Sequence, residues 1–286
     1  MGFNPKYRDK FVAFIDILGF KQLVEHSETD DGIELQEILD LLKVFGEEGE
    51  RAHFERYGPI ICPRSLAIEK HLDFRLTQVS DCVIVSAEIS PAGVINLLSH
   101  CKKVAVGFLV RGVMCRGYVT RGKVFHTEKH IIGTGYQTAY ESEAGVRAFK
   151  KAADERGTPF IEVDTSVVDY VVNSTDECVQ KMFGRMVKSD GELSAIFPFD
   201  PFSHSLALGS FGVKFDPVKE HQSNDVVRSI IKKLKQRIQE RVDPANLQAV
   251  AKAQHYLSML DEQLDACDKT DEMIDVMCQP FPRRSL

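Results

Sequence analysis

The sequence predicts an α+β fold in which helices lie on one face of a largely antiparallel sheet. Over residues 11–163, short β-rich apolar runs alternate with helix-like segments in the order strand, helices, two strands, helix, two strands, helix, strand. Residues 225–264 instead carry two amphipathic helical patterns. Of the 286 residues, 43% are hydrophobic and 27% are charged, which is typical of a globular chain.

The composition also bears on which partners the protein binds and in which cellular compartment it is found. A formal net charge of −6 argues against a duplex nucleic-acid partner. We expect no membrane span, because no apolar run reaches roughly 18 residues. Asp16 interrupts the first apolar run, which argues against a signal peptide. Seven cysteines without a CxxC spacing indicate reduced thiols. Together these features predict a cytoplasmic protein.

The first half of the chain contains a strand, a helix and a hairpin. Residues 11–18 form an apolar run that favours a strand. Apolar residues recur every two to four positions over 33–46, which favours a helix. The β-rich runs 74–79 and 82–88 are joined by Ser80-Asp81, a spacing typical of a β-hairpin, so Asp81 is expected at its tip.

The next segment predicts further helices and strands. Pro91 suits the first turn of a helix that runs to about residue 107. Gly117 and Gly122 punctuate the two strands expected after it, and two glycines precede another helix. We expect strands at 110–118, 119–127 and 159–163 and a helix at 136–153. A ferredoxin-like core is the natural architecture for this order of elements.

The last third of the chain differs in composition. Five phenylalanines and two prolines over 194–216 indicate a hairpin or an irregular connector. Residues 225–242 place an apolar stripe opposite a basic face, and Pro244 begins a second helix. We expect a helical hairpin whose basic face is solvated and partly paired with acidic residues of the second helix. The predicted domains are a core at 1–165 and a C-terminal extension at 166–286.

Two aspartates stand out by their positions. Asp16 lies in the apolar first strand, and Asp81 lies at the predicted hairpin tip. An ionised carboxylate in an apolar strand is unfavourable unless it is paired or binds a metal. Each aspartate alone also fits a capped turn or a local salt bridge.

The motifs around these aspartates resemble those of class III nucleotidyl cyclases. FIDILGF at 14–20 is similar to the first metal motif of that family, and VSDCVIV at 79–85 to the second. RGVMCRGYV at 111–119 and HIIGTGYQTAYESE at 130–143 resemble its fourth strand and a later helix start. The resemblance covers about residues 11–165 and implies the ferredoxin-like cyclase core.

The resemblance also implies a reaction. In that family the ribose 3′-hydroxyl attacks the α-phosphate of a nucleoside triphosphate and expels pyrophosphate, with two Mn²⁺ or Mg²⁺ ions in each active site. The implied catalytic metal ligands are Asp16, Asp81 and the backbone carbonyl of Ile17. The implied phosphate contacts are the turn amides at Gly19 and Phe20 and the guanidinium of Arg111.

Several positions depart from the purine cyclases. Thr77 stands where these enzymes have a base-reading lysine, and His130 stands where they have its acidic partner. Gln137 replaces the transition-state asparagine and Glu141 replaces the transition-state arginine. The chain is therefore either a degenerate cyclase or one that reads another base. The candidate base contacts are Tyr57, Arg75, Thr77 and His130, and Gln137 is the transition-state candidate.

The second alternative matches a subfamily. The opening FIDILGF, the Ser-Asp hairpin, the Arg-Gly strand and the C-terminal helices resemble the Pycsar pyrimidine cyclases of bacterial antiphage defence. This resemblance implies cyclic UMP or cyclic CMP made from UTP or CTP, a homodimer with active sites at its interface, and a separate effector that senses the product. We expect UTP as the substrate. The alternatives are CTP, another nucleotidyltransferase reaction, and a non-catalytic module that binds a nucleotide or a protein.

Overall fold

The computed structural model describes residues 5–46, 58–60, 62, 64–65, 71–203 and 215–278, and Tyr57 lies outside this part of the chain. The described residues form an α+β fold with one eight-stranded mixed sheet and eight α-helices, including a C-terminal helical pair. The strands are β1 (Arg8–Ile17), β2 (Phe74–Val79), β3 (Cys82–Glu88), β4 (Cys115–His126), β5 (Ile131–Ile132), β6 (Ile161–Val163), β7 (Val187–Ser189) and β8 (Ser194–Ile196). The helices are α1 (Phe20–Ser27), α2 (Leu35–Leu42), α3 (Pro91–Val110), α4 (Thr134–Glu143), α5 (Thr165–Val172), α6 (Glu177–Gly184), α7 (Pro217–Arg241) and α8 (Leu247–Cys278).

Strand β1 lies inside the sheet. The strand order is β2-β3-β1-β4-β6-β8-β7, and β5 pairs with β4 beside this path. Only the β4–β6 pair is parallel among the pairs of the described sheet. The register places Asp16 opposite Cys82 of β3 and opposite Arg116 of β4. The sheet therefore brings three chemically distinct side-chain positions into one row.

Helices cover both faces of the sheet, which corrects the prediction of a one-sided arrangement. Successive strand residues point to opposite faces. Phe11 and Ile15 of β1 pack in the main core, to which α3 also contributes. Val12 and Phe14 belong to a second, smaller cluster with Ala139 of α4. The short helix α4 therefore buries the face that the one-sided prediction left open.

The two strands predicted at 110–118 and 119–127 are one strand, β4. Its glycines permit close packing instead of ending a strand. A Cβ at Gly117 would lie 2.5 Å from the Phe14 carbonyl oxygen, and one at Gly122 would lie 2.7 Å from the Cα of Gly135 in α4. The helix predicted at 136–153 ends early, at Glu143.

Helix α3 is the one helix in the described part of the chain with the length and apolar composition of a membrane span. Its side chains account for that composition, because they form much of the main core, including Val94, Leu98 and Phe108. Ser90 caps the helix by accepting a hydrogen bond from the Gly93 amide (2.9 Å).

The chain divides into two compact units, Met1–Pro198 and Phe199–Leu286, whereas the predicted division lay after residue 165. The sheet explains the difference, since β8 pairs with β6 and so extends the first unit. In the second unit α7 packs against α8. The basic face of α7 is partly paired with acids of α8, as predicted: Arg228 bonds Asp268 at 2.8 Å. Lys235 and Asp261 form another pair.

Candidate functional site

The fold brings Asp16 and Asp81 together. Asp16 lies at the carboxyl end of β1, and Asp81 lies in the tight turn of the β2–β3 hairpin, where Ser80 takes a positive φ of 53°. The amide of Ile17 donates a hydrogen bond to the carbonyl oxygen of Asp81 (3.1 Å), which ties the strand end to the hairpin tip. The sequence prediction that these two acids share one site is consistent with this contact.

The turn after β1 presents backbone amides beside the same acids. The Leu18 amide donates to the Met114 carbonyl oxygen (3.0 Å), and Gly19 then takes a left-handed conformation with φ at 79°. A residue with a Cβ rarely adopts this conformation. Helix α1 begins at Phe20, and within the described residues no side chain caps its first amides. Such a helix start favours an anionic group.

Burial gives Asp16 an unusual protonation equilibrium. The pKa of Asp16 is raised to about 7, first by desolvation and then by the nearby carboxylates of Glu143 and Asp81. Arg116 acts in the opposite direction. The site therefore carries an excess of acidic groups, which a bound cation would stabilise in the ionised form.

Arg116 and Glu143 were not among the residues that the sequence singled out. The Arg116 guanidinium donates to the Glu143 carboxylate in a nearly buried ion pair, with side-chain exposures of 14% and 9%. Glu143 ends α4, and Arg116 lies opposite Asp16 in the register. Only the strand register and the path of α4 reveal these neighbours, although an arginine in an apolar strand was a usable signal.

Cys82 borders the acids but remains a thiol. Its pKa is raised to about 11, first by burial and then by the charges of Asp16, Asp81 and Glu143. A metal ligand of this type has to be a thiolate. The carboxylates of Asp16 and Asp81 are the oxygen donors of this site.

An oxygen donor set with excess negative charge fits Mg²⁺ or Mn²⁺. Across the described residues, no group of three or more His, Cys, Asp or Glu side chains is arranged to hold a metal ion. Magnesium at phosphate-transfer sites commonly takes only one or two carboxylates and completes its shell with water and phosphate oxygens. The pair Asp16 and Asp81 fits that pattern.

Arg111 lies away from the strand on which it was expected. It is the C-cap residue of α3, and β4 begins only at Cys115. Its guanidinium donates to the Gly107 carbonyl oxygen (3.0 Å), so the side chain folds back along its own helix. The strand predicted at 110–118 starts later because α3 continues to Val110, with Phe108 and Leu109 buried in the core.

Two base-contact candidates meet at a cleft. Arg75 and His130 line a cleft of about 390 Å³ together with Thr127 and Lys129. An adjoining cleft of about 430 Å³ shares Arg75 and is bordered by further basic side chains. Its lining residues include Lys6, Arg8, Lys10, Arg75 and Asp73. These clefts lie along the sheet from the acids, because Arg75 pairs with Ser86, four residues beyond Cys82 on β3.

Thr77, the third base-contact candidate, belongs to a polar network. Its hydroxyl contacts Nε2 of His126 (2.9 Å), and the buried Ser86 hydroxyl contacts Nδ1 of the same ring (2.8 Å). The pKa of His126 is lowered to about 4, first by burial and then by the charges of Lys10 and Arg75. The ring is therefore neutral at pH 7, with one nitrogen donating and the other accepting.

Gln137 and Glu141 both lie on α4, and both are exposed. They share the outer side of the helix with Tyr140, whose ring is 56% exposed and contacts the edge of Phe14. The structure therefore places the side chain of Gln137 on an exposed surface of α4.

No known family model matches this chain, and no curated protein matches it.

Proposed function

We propose that the chain is a pyrimidine nucleotide cyclase that converts UTP into 3′,5′-cyclic UMP and pyrophosphate. The observation that carries the proposal is the meeting of Asp16 and Asp81, through the bond between the Ile17 amide and the Asp81 carbonyl. The pKa of Asp16, raised to about 7, supports the proposal, because a cation bound beside this carboxylate would stabilise its ionised form.

Asp16 and Asp81, with the carbonyl oxygen of Ile17, would hold two Mn²⁺ or Mg²⁺ ions. These ions supply charge neutralisation of the triphosphate and activation of the ribose 3′-hydroxyl. Arg116 keeps Glu143 paired, so that Glu143 does not compete as a free carboxylate. The amides at Gly19 and Phe20 bind phosphate oxygens at the start of α1.

The reaction forms one bond and breaks one bond, both at the α-phosphorus of the substrate. The 3′-oxygen of the ribose forms a bond to the α-phosphorus and loses its proton to solvent. The bond between the α-phosphorus and the bridging oxygen of the β-phosphate breaks, and pyrophosphate leaves with that electron pair. The chain orients the two reacting groups in line, which is a large part of the barrier reduction.

The base would be read by a second copy of the chain. The clefts with Arg75 and His130 lie along the sheet from Asp16, and Gln137 is exposed on α4. A head-to-tail two-fold dimer would bring these residues of one copy to the acids of the other. The enzyme would work in the cytoplasm, in antiphage defence, with a separate effector sensing cyclic UMP.

A turnover assay with ATP, GTP, CTP and UTP, each with Mn²⁺, tests the proposal. We expect a cyclic monophosphate, identified by mass, from UTP. Cyclic CMP from CTP would keep the enzyme class and correct the base, and a linear product would indicate a different nucleotidyltransferase. Asp16→Ala and Asp81→Ala should each abolish turnover.

Asp9→Asn is the matched control, because Asp9 lies on the same strand in an exposed pair with Arg121. It should leave turnover unchanged. Metal-dependent turnover that survives in both Asp16→Ala and Asp81→Ala would refute the assignment of these acids.

A binding-only role is the second candidate, favoured by Glu141 at the position of the family's transition-state arginine. It predicts that UTP raises the thermal unfolding midpoint in the presence of Mn²⁺ without release of pyrophosphate. The cyclase predicts both effects, so the two measurements made together separate the candidates.

A further inference from the structure

Two thiols from distant parts of the chain meet outside the acidic site. Cys62 precedes β2, and Cys178 lies in the first turn of α6. Each thiol shifts the pKa of the other through a side-chain interaction, and both are partly exposed.

A shared aspartate holds both cysteines in place. Asp176 caps α6 by accepting a hydrogen bond from the Cys178 amide (2.9 Å). Its other carboxylate oxygen accepts a hydrogen bond from the Ser65 hydroxyl, and both of these residues are buried. The Ser65 amide in turn donates to the Cys62 carbonyl oxygen (2.9 Å). Ser65 and Asp176 are 111 positions apart, so this contact joins distant segments.

The two thiols are chemically unequal. Interactions with the Arg64 amide and then with the Cys178 thiol lower the pKa of Cys62. The same contact raises the pKa of Cys178. A thiolate is the reactive form of cysteine, so Cys62 is the nucleophile and Cys178 the resolving thiol.

We propose that Cys62 and Cys178 form a redox-active dithiol that closes to a reversible disulfide when it meets a peroxide. The Cys62 thiolate attacks one oxygen of hydrogen peroxide, the O–O bond breaks, and hydroxide leaves. The Cys62 sulfenic acid that results is attacked by the Cys178 sulfur, which loses its proton as water departs. In total two thiols and one peroxide give one disulfide and two waters, and a dithiol reductant reverses the change.

The other cysteines lack this combination of proximity and access. Cys101 and Cys115 influence each other electrostatically, but both are fully buried, and burial raises the pKa of Cys101. Cys278 is exposed at the end of α8 and provides the control position.

The test treats the full-length protein with a stoichiometric amount of hydrogen peroxide, blocks the remaining thiols with an alkylating reagent, and maps peptides by mass spectrometry. We expect one linked pair of peptides, containing Cys62 and Cys178, which dithiothreitol separates. Oxidation should also raise the midpoint of thermal unfolding, because the bond constrains the unfolded chain. Cys278→Ser should retain both effects, and Cys62→Ser and Cys178→Ser should each abolish them.

Two results would overturn the proposal. One is a Cys62 that oxidises to sulfinic acid without any linked peptide, and the other is a disulfide that involves a different pair. Reduced Cys62→Ser and Cys178→Ser proteins should unfold at the midpoint of the reduced parent, which separates loss of the bond from a folding defect. The assay does not depend on nucleotide turnover.

Discussion

Arg116 compensates the buried negative charge around Asp16. It is paired with Glu143 and lowers the pKa of Asp16, whereas burial and two carboxylates raise it. Removing one partner of a buried pair leaves the other charge uncompensated, which commonly costs 3–5 kcal/mol. A comparable arginine, Arg121, lies on the same strand in an exposed pair with Asp9.

Arg116→Met should therefore lower the free energy of unfolding by about 3 kcal/mol at pH 8. Because the pKa of Asp16 rises from 3.8 to about 7 on folding, its ionisation destabilises the fold in full above about pH 7, and this penalty diminishes as the pH falls towards 4. The loss should accordingly shrink at pH 5. Arg121→Met should cost at most about 1 kcal/mol. Urea unfolding of both variants at pH 8 and pH 5 measures the four losses in unfolding free energy. Equal losses in Arg116→Met and Arg121→Met would contradict a special role for the buried pair.

His126 provides a second pH-dependent contribution. Its pKa in the folded protein, about 4, is below the ordinary value of 6.5, so the unfolded chain takes up the proton first as the pH falls. The associated stability is complete above about pH 6.5 and is lost as the pH falls towards 4, with a total of about 3 kcal/mol. NMR titration of histidine resonances, assigned with His126→Asn, should find a neutral ring at pH 5.5. A midpoint near 6.5 would show that the ring is not held by Thr77 and Ser86.

At the scale of the elements, the contact between β4 and α4 sets the path of the helix that supplies Glu143. Gly122 and Gly135 touch backbone to backbone, and Gly133 before the helix has φ at 143°. Glycine permits this approach because it has no Cβ. The glycines that suggested a strand break in the sequence thus determine where α4 crosses the sheet.

Gly122→Ala should push α4 away from the sheet, because the new Cβ would lie 2.7 Å from the Cα of Gly135. We expect a loss of about 1–3 kcal/mol in the free energy of unfolding, typical of overpacking. Gly184→Ala, at the end of α6, is the control, since nothing lies within 4 Å of its added Cβ. Chemical denaturation of both variants gives the comparison. A Gly122→Ala protein as stable as the parent would mean that the helix can shift freely.

At the scale of the molecule, each unit has apolar residues of its own. The main core is drawn wholly from residues up to Ile196, in the unit Met1–Pro198. The unit Phe199–Leu286 buries Ile231, Leu234 and Leu260 among others. A domain with a complete core can fold alone.

A chain that ends at Pro198 should therefore fold and keep the Asp16 site. We expect a cooperative thermal transition and a rise in its midpoint on adding Mn²⁺, as in the full chain. The same truncated chain with Asp16→Asn should lose the response to Mn²⁺ while keeping the transition. Calorimetry and near-UV circular dichroism measure these effects. A truncated chain without a cooperative transition would show that the second unit is needed for folding.

The local sequence pattern was sufficient to predict several secondary-structure elements. The hairpin at 74–79 and 82–88 coincides with β2 and β3, because alternating apolar residues and a two-residue loop are local signals. The strand predicted from residue 110 begins only at Cys115, because α3 continues to Val110. Gly117 and Gly122 led to the wrong prediction of two strands in place of β4. In a sequence, a glycine needed for close packing cannot be told from one needed for a turn.

The sequence by itself determined the α+β class, the helical pair at the C-terminus, and the positions of Asp16 in a strand and Asp81 in a hairpin turn. These depend on periodicity and on residue type, which are read along the chain. Only the tertiary structure decided that Asp16 and Asp81 meet with Arg116 and Glu143 nearby, that Arg111 caps α3, and that Cys62 and Cys178 interact. Such neighbours depend on strand register and helix path, which arise from packing between segments far apart in sequence.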